Sequence, residues 1–288
     1  MTPALESPAQ VRQVTEGGIL DTSLGATPSP GAALELRDVA KSFGRGDGRT
    51  VALEHVSMRM ARGEFVSIVG PSGCGKSTLL RIVADLVEPS GGSVSVNGKT
   101  ARQAREDRDY GIVFQTPVLY EWRTIARNVQ LPLELMGYGA AERRERARQM
   151  LELVGLEGFD KHLPWQLSGG MQQRVAIARA LSFNPSLLLM DEPFGALDEI
   201  TRDRMNMELQ RIWMETSTSV LFITHSIAEA VFLSDRVLVM SSRPGTIDHE
   251  CAIPLPRPRT EAIRDQDDFV HLSGQVRAYL RRPGGVHV

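Results

Sequence analysis

The chain has 288 residues, 42% of them hydrophobic, enough to bury the core of one large domain or two small ones. Its 35 acidic and 33 basic side chains nearly cancel to a formal charge of −2, so no overall field draws it to nucleic acid or to an anionic membrane. No run of about 18 apolar residues occurs, so nothing in the sequence spans a bilayer, and two cysteines, Cys74 and Cys251, make no disulfide framework and read as cytosolic and reduced.

Residues 1–32 are mostly small and polar, lack the basic start and apolar block of a signal peptide, and are expected to form a disordered tail. Residues 34–43 and 51–60 alternate apolar and polar around a glycine-rich stretch at 44–48, the pattern of two strands joined by a turn. Residues 64–69 form a short apolar strand, and Leu79, Leu80, Ile82 and Val83 give the buried face of a helix that opens at Lys76. Residues 131–167 carry no strand-like run, and residues 141–156 read as a charged amphipathic helix, so a helical subdomain is expected at about 116–170. Three apolar runs at 187–190, 220–223 and 237–240 suit buried parallel strands in an α/β sheet covered on both faces. After Pro254, Pro256 and Pro258 the strand pattern ends. The tail at 260–288 is expected to be helical, with Ile263, Phe269, Val270, Val276 and Leu280 as its apolar set.

Gly70, Pro71, Ser72, Gly73, Cys74, Gly75, Lys76, Ser77 and Thr78 match the phosphate-loop pattern G-x-x-x-x-G-K-[ST] between a strand and a helix. The glycines let backbone N–H groups converge on phosphate oxygens, and the helix behind presents its positive end to the same anion. Lys76 supplies a point charge to the outer phosphates, and Ser77 offers a hydroxyl to Mg²⁺. The apolar strand at 187–190 runs into Asp191 and Glu192, the Walker B arrangement. There Asp191 holds the magnesium and Glu192 acts as general base on the attacking water. A solvated acidic turn is the bland alternative for such a pair, and the neighbouring phosphate loop decides against it. Ser168, Gly169 and Gly170 open a further helix at an N-terminus suited to an anion. Taken alone, that serine reads as a simple helix cap.

In this order the motifs resemble those of the ATPase subunits of ATP-binding cassette (ABC) transporters, over about residues 34–253. The resemblance implies an α/β P-loop NTPase with a mixed sheet core, an N-terminal antiparallel β subdomain and a helical subdomain, the ATPase domain spanning 33–259. Leu167 to Gly170 resemble the family's signature, with Met171 where glutamine is commonest. Gln115 resembles the nucleotide-sensing Q-loop glutamine, a catalytic and metal-holding residue, His225 the switch histidine, and Gly195-Ala-Leu-Asp198 the D-loop, which puts Asp198 at the nucleotide interface. Phe43 stands where members stack an aromatic ring on adenine, with inward packing as the alternative.

The resemblance further implies a homodimer closing on two ATP molecules, Ser168 and the glycines of one copy meeting the phosphates held by the other. Separate transmembrane permease subunits would receive the motion, and an extracytoplasmic solute-binding protein would act indirectly, placing this subunit on the cytoplasmic face of the inner membrane. Tyr120 and Trp122 lie where a permease helix would dock, unless they form a satellite core cluster. Residues 194–202, 225–235 and 242–247 resemble the importer group for nitrate, sulfonate and taurine. A non-transport ABC ATPase of repair or translation would carry a long coiled coil or a second cassette. A regulatory module without turnover would leave Glu192 unused.

Overall fold

In a computed structural model of the chain, residues 31–44 and 48–281 are described. The expected N-terminal tail up to residue 30, the centre of the glycine-rich turn and residues 282–288 lie outside them. Two sheets carry the fold. The first is antiparallel with order β2-β1-β4-β5, formed by β1 (Ala32–Phe43), β2 (Thr50–Ala61), β4 (Gly91–Val96) and β5 (Lys99–Thr100). The second has order β10-β9-β3-β8-β7-β6. Its strands β3 (Phe65–Val69), β6 (Tyr110–Val113), β7 (Leu187–Asp191), β8 (Ser219–Ile223) and β9 (Arg236–Met240) are parallel, and β10 (Ile247–Ala252) turns back antiparallel at one edge.

The central strands are apolar throughout because both faces of this sheet are covered. Side chains alternate between two cores. Phe65, Leu188, Met190, Val220 and Phe222 join the core shared with the helices. Val66, Ile68, Leu187, Leu189, Leu221 and Ile223 face the core shared with α1 (Lys76–Val83) and the antiparallel sheet. The helical side comprises α3 (Ile125–Leu135), α4 (Ala140–Leu153), α5 (Gly169–Leu181), α6 (Glu199–Thr216) and α7 (Ile227–Leu233), while the short α2 (Ala101–Glu106) flanks the antiparallel sheet. α4 ends three residues before the expected limit, with its C-cap at Val154 and Gly155 at φ 62°.

Strands β4, β5, β6 and β10 were not expected from the pattern. They are short or half exposed, and glycine and polar residues interrupt their alternation. The C-terminal stretch is not one helix but a 3-10 turn at Glu261–Asp265 followed by α8 (Asp267–Arg281). Ile263, Phe269 and Val276 are buried as expected and Leu280 packs partly, but Val270 is 58% exposed. Phe269 and Val276 stand seven residues apart on one face of α8, and a helical step of about 100° carries Val270 off it.

One buried arginine locks this end of the fold. The Arg259 guanidinium donates to the carbonyls of Val231, Phe232 and Ser234 at the end of α7 and to those of Ile253 and Leu255. Its backbone exchanges two hydrogen bonds with the Gln210 side chain of α6. Burial lowers its pKa to about 10.

Candidate functional site

The phosphate loop leaves the C-terminal end of β3 and enters α1 at Lys76. Gly75 has φ 109°, and a Cβ there would lie 2.6 Å from Leu53 Cδ2 and 2.9 Å from the Ala52 carbonyl. Only glycine fits both the left-handed backbone and the close approach of β2. Lys76 is nearly buried, and its ammonium donates to the carbonyls of Gly70 at 2.8 Å and Pro71 at 3.1 Å, curling the loop around its own cation. The Cys74 side chain is buried beneath the loop, where loss of solvation raises its thiol pKa, and it does not line the cleft.

Ser77 donates from Oγ to Asp191 Oδ1 at 2.9 Å, which joins the first turn of α1 to the end of β7. Burial pushes the Asp191 carboxyl above its ordinary range, and the Ser77 bond partly offsets that. These hard oxygen donors on a desolvated carboxylate fit a Mg²⁺ that keeps its remaining ligands as water and phosphate. Glu192 follows at φ 45°, its N–H bonded to the Ile223 carbonyl at 2.9 Å. Its Oε2 lies 3.1 Å from His225 Nδ1, just past the end of β8. A methyl placed on Gly195 would stand 3.3 Å from Gln115 Nε2 and 3.6 Å from His225 Cε1, so Gln115, His225 and the Glu192 backbone surround that glycine.

A cleft of about 400 Å³ opens over the loop, lined by Phe43, Thr50 and Ala52, by Ser72, Gly73 and the residues from Gly75 to Thr78, and by Glu192 and Arg243. Phe43 does not pack inward. It is 45% exposed at the cleft, with Lys41 Nζ 5.1 Å from its ring centre. Ser168 caps α5 by accepting from the Met171 N–H, and Asp198 caps α6 by accepting from the Thr201 N–H at 2.9 Å, a bond that lowers the carboxyl pKa. Ser168 and Gly170 line a second cleft with Met171, Thr201 and Glu208, and this cleft shares no residue with the first. A single chain therefore does not bring Ser168 and Gly170 to the phosphate-loop cleft.

The aromatic loop resolves toward the surface. Trp122 is 76% exposed and Tyr120 40%, their rings 4.9 Å apart, so they form no satellite core. Their backbone is nonetheless fixed: Arg179 donates to the Pro117 and Val118 carbonyls, and the buried Asn128 bonds both N–H and carbonyl of Tyr120. Arg243 was missed as a cleft residue. Its Nε donates to the Gly73 carbonyl at 3.0 Å. Beside it, Gly245 exchanges backbone bonds with Ala52 and Glu54, so the loop between β9 and β10 backs the phosphate loop. Ser242-Arg-Pro-Gly-Thr-Ile247 marks the importer subgroup in sequence, and nothing local in it marks a cleft residue.

A family profile described as ABC transporter matches residues 53–195. The nitrate import ATP-binding protein NrtD of Synechocystis sp. is 45% identical over 254 residues, 86% of this chain and 95% of that protein. The taurine import ATP-binding protein TauB of Rhizobium johnstonii is 46% identical over 253 residues, 86% of this chain and 96% of that protein. Among solved structures, a dimeric ATP-binding cassette in a post-hydrolysis state with ADP and Pi superposes with a TM-score of 0.67 at 37% identity, over 77% of this chain and 100% of that one. A phosphate loop, a strand-end carboxylate pair and a histidine meeting the second carboxylate, on a chain this similar to such cassettes, make it an ATP-hydrolysing member of the ABC transporter ATP-binding family.

Proposed function

We propose that this ATPase acts as a homodimer with two shared sites and powers solute import through separate permease subunits, of the nitrate, sulfonate or taurine type. The observation that carries the dimer is the separation of the two clefts. Ser168 and Gly170 sit at a helix N-terminus suited to phosphate, yet the cleft they line has no member in common with that of Lys76. A second copy facing the first unites them. The related cassette whose dimeric structure is bound to ADP and Pi supports this arrangement.

Within each site the backbone of Gly70 to Gly75 and the Lys76 ammonium bind the β- and γ-phosphates, and Thr78 continues that contact along the first turn of α1. Ser77, Asp191 and Gln115 would hold Mg²⁺, which neutralises charge on the phosphates as the bond breaks. Glu192 takes the proton of the attacking water. His225, 3.1 Å from that carboxylate, orients it and the γ-phosphate together. Phe43, exposed at the cleft, stacks on adenine, and Asp198 lines the dimer interface. ATP makes contacts in the closed dimer that it lacks in the open one, so binding favours closure and hydrolysis releases it. No helix among the described residues is long and apolar enough to cross a membrane. The exposed Tyr120–Trp122 pair next to Gln115 supports docking of a permease from the cytoplasmic side. The names of the relatives support the solute class. An extracytoplasmic solute-binding protein completes that scheme.

The test is complementation. Lys76→Ala and Ser168→Arg are each expected to be inactive, and mixing them should restore turnover, because a mixed dimer contains one intact site. Failure of mixing, together with scattering that shows only single chains under saturating ATP in Glu192→Gln, would refute the shared site. Uptake of nitrate, taurine and alkanesulfonates in a deletion strain tests the solute class, and uptake of all three unchanged would remove it.

A further inference from the structure

Behind the switch histidine lies a carboxylate that the mechanism above does not use. Glu229, in the first turn of α7, is 4% exposed. Its Oε2 accepts from Thr224 Oγ1, the residue before His225. Thr224 Oγ1 in turn accepts from the N–H of Ser226, the residue after it, at 2.9 Å. The Ser226 hydroxyl accepts from the Glu229 N–H and caps α7. His225 thus sits between two residues that Glu229 holds.

The other oxygen, Glu229 Oε1, has no hydrogen bond and stands 3.6 Å from Arg202 Nε, which has none either. Arg202 belongs to the first turn of α6, and its Nη2 donates to the Leu197 carbonyl at 2.7 Å, within Gly195-Ala-Leu-Asp198. One guanidinium therefore touches the D-loop and faces the carboxylate behind the switch. Burial raises the Glu229 pKa, with the Thr224 bond and the Arg202 charge acting against it. Arg264 of the 3-10 turn closes the joint: it pairs with Asp203 at 2.7 Å and stacks over Phe232 of α7. A half-buried ion pair resting beyond hydrogen-bond length gains a charge-assisted bond from an approach of about 0.7 Å.

We propose that Arg202 and Glu229 are positioning residues for ATP hydrolysis, a latch through which the position of Gly195 to Asp198 sets His225 against Glu192. Displacement of Leu197 at the dimer interface draws Arg202 onto Glu229 and, through Thr224 and Ser226, fixes the histidine. The latch rests on the proposed roles of His225 and of the dimer.

Steady-state hydrolysis and ATP binding by the full chain test it, using Glu229→Gln, Arg202→Met, their double variant, Arg202→Lys and Glu192→Gln. Glu229→Gln keeps a partner for Thr224 and loses the charge. Each single variant is expected to lower kcat by about tenfold, since misplacement of a catalytic group by about 1 Å costs up to about 100-fold. KM and the Kd for ATP should stay within about twofold, because neither residue lines the nucleotide cleft. The double variant should be no slower than the slower single one, and Arg202→Lys should recover most of the rate. Losses that multiply, or unchanged kcat while Glu192→Gln is inactive, overturn the latch and leave the site assignment standing. Normal turnover by Glu192→Gln overturns the assignment itself. Should Glu229→Gln not fold, the partly exposed Arg202→Met and Arg202→Lys pair decides the matter alone, by the same split of kcat from KM.

Discussion

Gly245→Ala is expected to weaken ATP binding from a position that does not line the cleft. The added Cβ would lie 2.1 Å from the Cys74 carbonyl oxygen, 2.9 Å from Met240 Cε and 3.2 Å from the Ala52 carbonyl oxygen. Met240 can swing away, but the first contact is backbone of the phosphate loop. Gly245 cannot retreat, because its N–H is bonded to Ala52 at 3.0 Å and its carbonyl accepts from Glu54 at 3.1 Å. The Cys74 peptide must then move by about 1 Å to restore ordinary contact distance. Overpacking of this kind costs about 1–3 kcal/mol. If the strain is relieved by distorting the loop whose amides are proposed to cradle phosphate, the Kd for ATP rises about 5- to 150-fold, at about 1.4 kcal/mol per decade. Calorimetric titration with ATP alongside a thermal melt measures both effects. Gly274→Ala in α8 is the control, since its Cβ meets nothing within 4 Å, and it should gain about 0.5–1 kcal/mol. A Gly245→Ala protein with Kd and melting temperature both unchanged would refute the argument.

Three further outcomes are expected. Arg259→Met removes five carbonyl contacts from a buried site and should cost about 3–5 kcal/mol, read as a lower urea midpoint. Glu229, facing Thr224, Arg202, His225 and Arg264, has its folded pKa raised above the ordinary 4.5, so the folded chain binds its proton more tightly than the unfolded one. The stability this contributes is full below pH 4.5 and is lost as pH rises through the raised value; urea melts of Glu229→Gln should lack that slope, and identical slopes would count against it. Both cysteines are buried, with burial pushing Cys251 up to about 11 and Cys74 upward as well. Alkylation at pH 8 should therefore be slow in the folded protein and fast in urea, and rapid labelling of the folded chain would contradict it.

The sequence carried the parts of this molecule whose chemistry is local. The phosphate loop, the carboxylates after the 187–190 run and the buried parallel strands each follow from a contiguous pattern, and the structure places them together as expected. What stayed hidden depends on contacts between distant segments. β4 and β6 pair through backbone while their side chains follow no clean period. Arg243 reaches Gly73 across 170 positions, and Glu229 finds Arg202 only because α6 and α7 pack side by side. The split of the C-terminal stretch into a turn and α8 was equally invisible, since its apolar set fits a single helix nearly as well. Only the packing of α8, which carries Phe269, against α7 and β9 distinguishes them.

The left-handed backbone at Glu192 sets stability against activity at a single position. A residue with a Cβ costs about 1–2 kcal/mol there relative to glycine, and the chain bears it because the peptide is pinned on both sides, by Ile223 before the turn and by Gly195 after it. The carboxylate is thereby aimed by main-chain twist rather than by rotamer choice alone. Selection for a sturdier fold would favour glycine at this site, and the enzyme would survive heat better while forfeiting the carboxylate proposed as its base.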